Sequence, residues 1–134
     1  APDVVFFDPF SRRTNESEWS VETFRALAER ALGRDVEIFT YTASTAARAA
    51  MLLAGLHVAR GVPSDVKSET TIALSPLAAS RAPERGRELL GAAWLARWER
   101  SHEKLPRDVQ GIDREAAEAR IRSHPQFREP GIGL

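Results

Sequence analysis

The sequence contains no cysteine among its 134 residues, which excludes disulfide bonds and thiolate metal sites and suits a cytoplasmic protein. It also lacks an excess of charge, because 19 Lys and Arg balance 19 Asp and Glu. Balanced charge gives no global sign of nucleic-acid binding, so such binding would need a local patch. The longest apolar run in a predicted helix, residues 49–56, is far too short for a bilayer, and we expect no membrane partner.

A short apolar run that ends in a carboxylate and a proline is the feature around which the sequence is organised. Residues 4–7 have the β-branched and aromatic composition of a strand buried on both faces. Pro9 cannot extend a strand ladder, so Asp8 falls at the carboxyl end of this strand. In open α/β sheets that end borders the ligand crevice, where a terminal Asp can face a substrate. The alternative is that Asp8 only caps the next turn.

Strands and helices are predicted to alternate up to residue 76. A helix begins at the Ser20 N-cap and runs to about Leu32, where Gly33 stops it, and a second helix over residues 45–54 is closed by Gly55. Further strands are predicted over residues 36–41, 57–60 and 69–74. The last two should pair antiparallel, because a parallel pair needs a crossover of about a dozen residues or more.

Beyond residue 76 the composition shifts to Ala, Arg and Glu, which predicts a helical extension over residues 77–134, packed on an α/β domain of residues 1–76. Pro83 is expected to open a helix to about Ser101, and another helix is expected over residues 113–123. From residue 81 onward the chain has eleven Lys or Arg and nine Asp or Glu. This balance predicts a solvated helical surface first and a nucleic-acid patch second.

Several stretches within residues 1–76 resemble, in order and spacing, the methyltransferase domain of MnmC and its stand-alone relatives. Enzymes of that family use S-adenosylmethionine to methylate the aminomethyl group on the wobble uridine of certain tRNAs. The chain departs from the family pattern at Pro9, where a glycine is usual, and at Ser68, where an arginine is usual. The stretches that carry the resemblance are residues 3–11, Thr14-Asn15 with Trp19, and residues 39–43, 54–58 and 67–71.

The resemblance implies an α/β, Rossmann-like S-adenosylmethionine methyltransferase fold, and tRNA as the partner. It covers the C-terminal half of that fold, because the glycine-rich cofactor loop belongs to the first strands and residues 1–76 contain no Gly-x-Gly motif. We therefore expect residues 4–7 and 36–41 to be parallel neighbours, with residues 69–74 antiparallel beside the second. An uncovered first strand would associate with a missing N-terminal half or with a second copy of the chain.

The residue chemistry suggests how such a site would work. Methyl transfer to an amine needs a neutral nitrogen with its lone pair directed at the methyl group, and a carboxylate that accepts the N–H can hold it so. We give this role to Asp8, with the Pro9 carbonyl as a second acceptor. Phe10 is a candidate platform for the uracil, although an aromatic residue here could equally belong to the core.

Three further residues are candidates for substrate binding, each with a structural alternative. Asn15 contacts substrate or only orders its loop, and Trp19 contacts substrate or only packs across the cap of the following helix. Lys67 meets tRNA phosphate or is simply solvated. No cofactor-binding residue is identified, and the scattered His57, His102 and His124 lack the spacing of metal ligands.

Three functions remain open at this level. The first is a tRNA-modifying methyltransferase, or the substrate-side part of one, since this chain has no recognisable cofactor loop of its own. The second is a non-catalytic α/β module that binds a protein or RNA partner through its Arg-rich helices. The third is a different Rossmann-type enzyme that acts on another amine.

Overall fold

Strands and helices alternate through the first part of the chain, and shorter elements follow. The computed structural model describes residues 2–7, 20–61, 70–102, 104–106, 109 and 112–128. The strands are β1 (Asp3–Phe6), β2 (Val36–Thr40), β3 (His57–Arg60), β4 (Thr71–Leu74) and β5 (Glu88–Leu89). The α-helices are α1 (Val21–Arg30), α2 (Thr45–Leu53), α3 (Pro76–Ser80), α4 (Ala92–Glu99) and α5 (Ile112–Arg122), with 3-10 turns at Pro83–Arg85 and Pro125–Phe127.

Local signals set the bounds of the first two helices. The Ser20 hydroxyl accepts the Thr23 N–H and the Ser44 hydroxyl accepts the Ala47 N–H, both at 3.2 Å, as expected of N-caps. Gly33 and Gly55 follow the helix ends with φ of +74° and +95°, a region that glycine enters without steric cost. The predicted starts and stops of α1 and α2 are therefore confirmed to within two residues.

The strands form one sheet in the order β1-β2-β4-β3-β5. β1 runs parallel to β2, and β4 lies antiparallel between β2 and β3. These pairings confirm the parallel first pair and the antiparallel placement of the later strand. The short link between β3 and β4 leaves no room for a crossover, which accounts for their antiparallel pairing.

The sheet packs on both faces. On one face, α1, α2, α4 and α5 cover Ile38, Val58 and Ala73, and the largest side chains of this core are fully buried. On the other face, α3 and the turn after it cover Ile72 and Leu74. The large residues of the first face are Phe24, Met51, Leu56, Leu90, Trp98 and Ile121.

β1 differs from its prediction, because it is not buried on both faces. Val5 and Phe7 pack against the core, but Val4 is 51% exposed and Phe6 is 81% exposed. Val4 and Phe6 stand opposite Glu37 and Phe39 of β2, on the sheet face where α3 packs against β2 and β4. The sequence indicates an apolar strand but not which elements will cover it.

The helix predicted from Pro83 to Ser101 is wrong. Pro83 opens only a three-residue turn, Gly86 then takes a φ of +71°, and the chain extends into β5, which pairs antiparallel with β3. The helix restarts as α4 after Gly91, whose backbone is extended. The extension predicted as helical therefore contributes a strand to the sheet. The helix predicted over residues 113–123 is confirmed as α5.

No helix in the described part of the chain is both long enough and apolar enough to cross a membrane.

Candidate functional site

One edge of the sheet collects the ends of several elements. Thr40, the last residue of β2, pairs with Thr71, the first residue of β4, and Arg60 at the end of β3 pairs with Thr71 from the other side. Because β1 is parallel to β2, its carboxyl end lies at this edge too. The edge, called here the carboxyl rim, thus holds the carboxyl ends of β1, β2 and β3.

The site residues predicted from the sequence lie outside the described residues. Asp8, Pro9 and Phe10 belong to segment 8–19 with Asn15 and Trp19, and Lys67 belongs to segment 62–69. Their roles therefore stay predictions.

Phe7, Gly61 and Thr70, from which these segments start or to which they return, lie at the carboxyl rim. The Phe7 N–H donates to the Phe39 carbonyl at 2.9 Å, so parallel pairing continues to the residue before Asp8. The Gly61 N–H donates to the Thr70 carbonyl at 2.9 Å, which closes the two ends of segment 62–69 together. Segments 8–19 and 62–69 therefore leave the sheet from the same rim.

Hydroxyl groups fix the backbone between β2 and α2. The Thr42 N–H donates to the Thr40 hydroxyl at 3.2 Å, and the Ser44 N–H donates to the Thr42 hydroxyl at 3.1 Å. Short hydroxyl side chains commonly stabilise turns in this way. Residues 41–44, called here the rim loop, thus have a defined path beside the carboxyl end of β1.

Arg48 joins the rim loop to β4 and was not singled out by sequence reasoning. It is 2% exposed within α2, and it donates from Nε to the Thr71 hydroxyl at 2.9 Å and from Nη2 to the Thr70 carbonyl at 3.0 Å. The Thr71 hydroxyl in turn donates to the Thr42 carbonyl at 2.6 Å. The sequence signal that could have identified Arg48 is that it is the single arginine in the alanine-rich stretch 45–54.

A charged cluster lies at the other end of β2, away from the carboxyl rim. Arg87 binds Glu37 through two hydrogen bonds of 2.9 and 3.0 Å, and Arg85 binds Asp35. The hydrogen bond from Arg85 holds the pKa of Asp35 below its ordinary value. Glu37 is only 1% exposed, and a carboxylate so buried needs such partners.

Many of the cations after residue 80 are used inside the fold. Arg122 binds Glu99 at 2.6 Å and Glu118 at 3.1 Å, and Lys104 lies over the Trp98 ring. Arg120 donates to the Leu53 carbonyl at 2.8 Å. Six of the eleven Lys and Arg in this region therefore have described partners. They are Arg81, Arg85, Arg87, Lys104, Arg120 and Arg122.

Two histidines meet edge to face, with ring centroids 4.8 Å apart. His124 accepts the Gln126 N–H at Nδ1, so Nε2 carries the hydrogen donated to the Leu56 carbonyl at 2.9 Å. Burial, and then the neighbouring His57, lowers the pKa of His124 to about 4. Burial also lowers the pKa of His57.

Within the described residues no group of three His, Asp or Glu side chains could hold a metal ion.

A cavity of about 280 Å³ lies between α1, α2 and α5. Arg25, Asp113 and Arg120 provide its charged groups, above an apolar wall that includes Val21 and Leu53. Leu53 ends α2, whereas the rim loop leads into the start of that helix. The cavity therefore reaches the end of α2 opposite the carboxyl rim.

β1 and β2 are parallel and are joined by a helix, and the antiparallel β4 lies between β2 and β3 in the sheet although it follows β3 in the sequence. This topology defines the C-terminal half of a Rossmann-like methyltransferase fold. A family model of S-adenosyl-L-methionine-dependent methyltransferases matches residues 1–76, which is more than half of the chain. The chain belongs to this family. No curated protein and no solved structure matches it.

Membership of the family implies S-adenosyl-L-methionine as the methyl donor. The residues at hand do not fit the adenosine part of that molecule, because residues 1–76 contain no Gly-x-Gly loop to hold a nucleotide. We therefore assign no described residue to the donor.

Proposed function

We propose that this methyltransferase acts on the aminomethyl group of a tRNA wobble uridine, as the MnmC-type enzymes that residues 1–76 resemble do. The observation that carries the proposal is the carboxyl rim. Segments 8–19 and 62–69 both leave from it, and they contain the residues that resemble the family's motifs. In an open α/β sheet such a rim is where ligands bind.

Asp8 is the proposed group that holds the amine. In the sequence it directly follows Phe7, which lies just beyond β1 and whose N–H donates to the Phe39 carbonyl of β2. Its carboxylate would accept an amine N–H and leave the nitrogen lone pair free for the methyl group. The Pro9 carbonyl is proposed as a second acceptor and Phe10 as the surface on which the uracil stacks.

Asn15, Trp19 and Lys67 are proposed to bind the tRNA around that centre. Lys67 belongs to segment 62–69, whose flanking residues Gly61 and Thr70 are hydrogen-bonded to each other at the carboxyl rim. A lysine in a segment that starts and ends at this rim is suited to a phosphate contact, which positions a nucleic acid without reading its sequence.

The alternative of a binding module that uses Arg-rich helices has less support. Six of the eleven cations after residue 80 bind carboxylates, aromatic rings or carbonyls of the same chain. Arg85 and Arg87, whose side chains are only 19% and 25% exposed, would have to leave their carboxylates before they could bind an RNA or protein.

Replacement of Asp8 by Asn tests the proposal in the protein as its gene encodes it. Asn keeps the shape and one acceptor oxygen but loses the charge, so single-turnover methylation of undermodified tRNA should fall by at least ~10²-fold. Because Asn still caps a turn, the free energy of unfolding should change by less than ~1 kcal/mol.

Asp3→Asn is the matched control, since Asp3 lies at the amino end of the same strand and is exposed. Its methylation rate should equal that of the wild type. A folded Asp8→Asn protein with the wild-type rate would reduce Asp8 to a turn cap and leave the tRNA assignment without a catalytic group.

A further inference from the structure

Arg48 is an unusual residue for its position. It lies in α2 between alanines, and its neighbours Ala47 and Ala49 are as buried as it is. Burial of a guanidinium costs free energy unless hydrogen bonds and charges compensate for the lost water. An apolar side chain at this position would avoid that cost, so packing alone does not explain why the residue is an arginine.

Its hydrogen bonds lead to the carboxyl rim. The guanidinium binds both the carbonyl of Thr70 and the hydroxyl of Thr71, which stand at the start of β4. The Thr71 hydroxyl has one hydrogen to donate, and with Arg48 Nε on its acceptor side it donates that hydrogen to the Thr42 carbonyl. Arg48 thereby fixes the direction of the Thr71 hydroxyl and, through it, the rim loop.

The rim loop lies beside the place where segment 8–19 begins. Thr40 ends β2, Thr42 lies in the rim loop and donates its N–H to the Thr40 hydroxyl, and the Phe39 carbonyl beside them accepts the N–H of Phe7. A shift of the rim loop would therefore disturb the end of β2 that binds Phe7, the residue before Asp8 in the sequence. Misplacement of reacting groups by about 1 Å can cost ~10²-fold in rate.

We propose that Arg48 is a positioning residue for methyl transfer, which acts through Thr71 to hold the rim loop against the carboxyl end of β1. This inference rests on the proposed function. The proposed role involves no contact between Arg48 and tRNA or the methyl donor. Its effect belongs to the geometry of the reacting complex rather than to the affinity for substrate.

Thr71 offers the sharpest test, because its change leaves the guanidinium in place. Thr71→Val keeps the shape of the side chain and removes the hydroxyl, so kcat for tRNA methylation should fall about tenfold or more while KM for tRNA stays within about twofold. Thr71→Ser keeps the hydroxyl and should restore kcat. Arg48→Lys should behave like Thr71→Val, because a lysine ammonium cannot present the two directed donors of the arginine fork.

Ser75 supplies the matched control at the other end of β4. Its hydroxyl is fully buried, accepts the Val36 N–H at 3.0 Å and donates to the Arg34 carbonyl at 2.7 Å. Because this hydroxyl also accepts the Ala78 N–H at 3.2 Å as the N-cap of α3, Ser75→Ala should lower the melting temperature at least as much as Thr71→Val does, yet leave kcat within about twofold of the wild type. Equal loss of kcat in Ser75→Ala and Thr71→Val would show a general effect of stability and overturn the positioning role.

Amide hydrogen exchange separates this inference from the proposed function. In Thr71→Val and Arg48→Lys, the Thr42 and Ser44 amides should exchange at least about tenfold faster, with β3 amides unchanged relative to global stability. Unchanged exchange at Thr42 and Ser44 would overturn the inference even if tRNA were methylated. Faster exchange in a protein that does not methylate tRNA would support the link to the rim loop and reject the tRNA assignment.

Discussion

The two ends of the sheet are covered very differently. Around β3 and β4 both faces are closed, and Val58, Ala59 and Ile72 are 0–1% exposed. At the β1 end only one face is closed, and Phe6 remains 81% exposed. The same kind of apolar strand thus has two environments in one sheet. The difference comes from the described residues after residue 75, which cover the second face only as far as β2.

The cover over that second face depends on charge as well as on apolar packing. α3 brings Ala78 and Ala79 onto the sheet, and the turn after it places Arg85 and Arg87 beside β2. Arg87 also lies over the Phe39 ring, 5.5 Å from its centre. We therefore expect the closed end to be sensitive to single charged residues and the open end to be tolerant of them.

The largest expected effect is the loss of Arg87. Arg87→Met would leave the Glu37 carboxylate buried with only a longer contact to Arg85, of 3.7 Å. A buried charge without its partner typically costs about 3–5 kcal/mol, so urea denaturation should show a loss near the lower figure.

The same exchange at the open end is the control. Arg34 binds Asp3 at 2.6 Å, but their side chains are 62% and 57% exposed. Arg34→Met should cost less than about 1 kcal/mol, because solvent screens exposed ion pairs. Equal losses for the two variants would mean that burial of Glu37 does not set the difference between the ends.

Much of the first half of the fold was predictable because its signals are local. Ser20 and Ser44 cap helices in the way their sequence contexts indicate, and Gly33 and Gly55 adopt the positive φ that ends them. The antiparallel pairing of β3 and β4 follows from the length of one link. Such features need no knowledge of what packs against them.

The rest depends on contacts between distant parts of the chain. Gly86 and Gly91 interrupt the stretch that was predicted as one helix, but the pairing of β5 with β3 and of Arg87 with Glu37 joins residues about 30 and 50 positions apart in sequence. The exposure of β1 likewise depends on how far a later segment reaches. The candidate site was predictable as a sheet edge, whereas the Arg48 link to that edge needed the structure.

The closed end should also be sensitive to acid, with an effect of intermediate size. His124 is neutral in the fold with a pKa of about 4, against about 6.5 when unfolded. Between these values the unfolded chain binds more protons, so stability is present above about pH 6.5 and is lost as pH falls toward 4. The free energy of unfolding should drop by about 2 kcal/mol from pH 7 to pH 5 on account of this residue.

His124→Gln tests this expectation against His57→Gln. Removal of His124 should flatten the dependence between pH 7 and pH 5, measured by urea denaturation, whereas removal of His57 should leave most of it. If His124→Gln retained the full wild-type dependence, another group would have to carry the acid sensitivity.

The smallest effect on stability is expected at Phe6, on the open end. Phe6 contacts the Phe39 ring at 5.7 Å but is otherwise exposed, so Phe6→Lys should change the free energy of unfolding by less than about 1 kcal/mol. Its effect should appear in association instead. In the described part of the sheet β1 is an edge strand, and an apolar edge offers free backbone N–H and C=O groups to another strand.

We propose that copies of the chain associate through this edge at high concentration. A lysine at position 6 should weaken that association, because charged side chains on an edge strand oppose strand addition. Sedimentation of the wild type and of Phe6→Lys over a range of concentrations measures the difference. Leu32→Lys controls for the added charge, because Leu32 is also an exposed apolar residue but lies outside the sheet. A wild type that stays monomeric, or a Leu32→Lys variant that dissociates as readily as Phe6→Lys, would show that the chain does not associate through the exposed β1 edge.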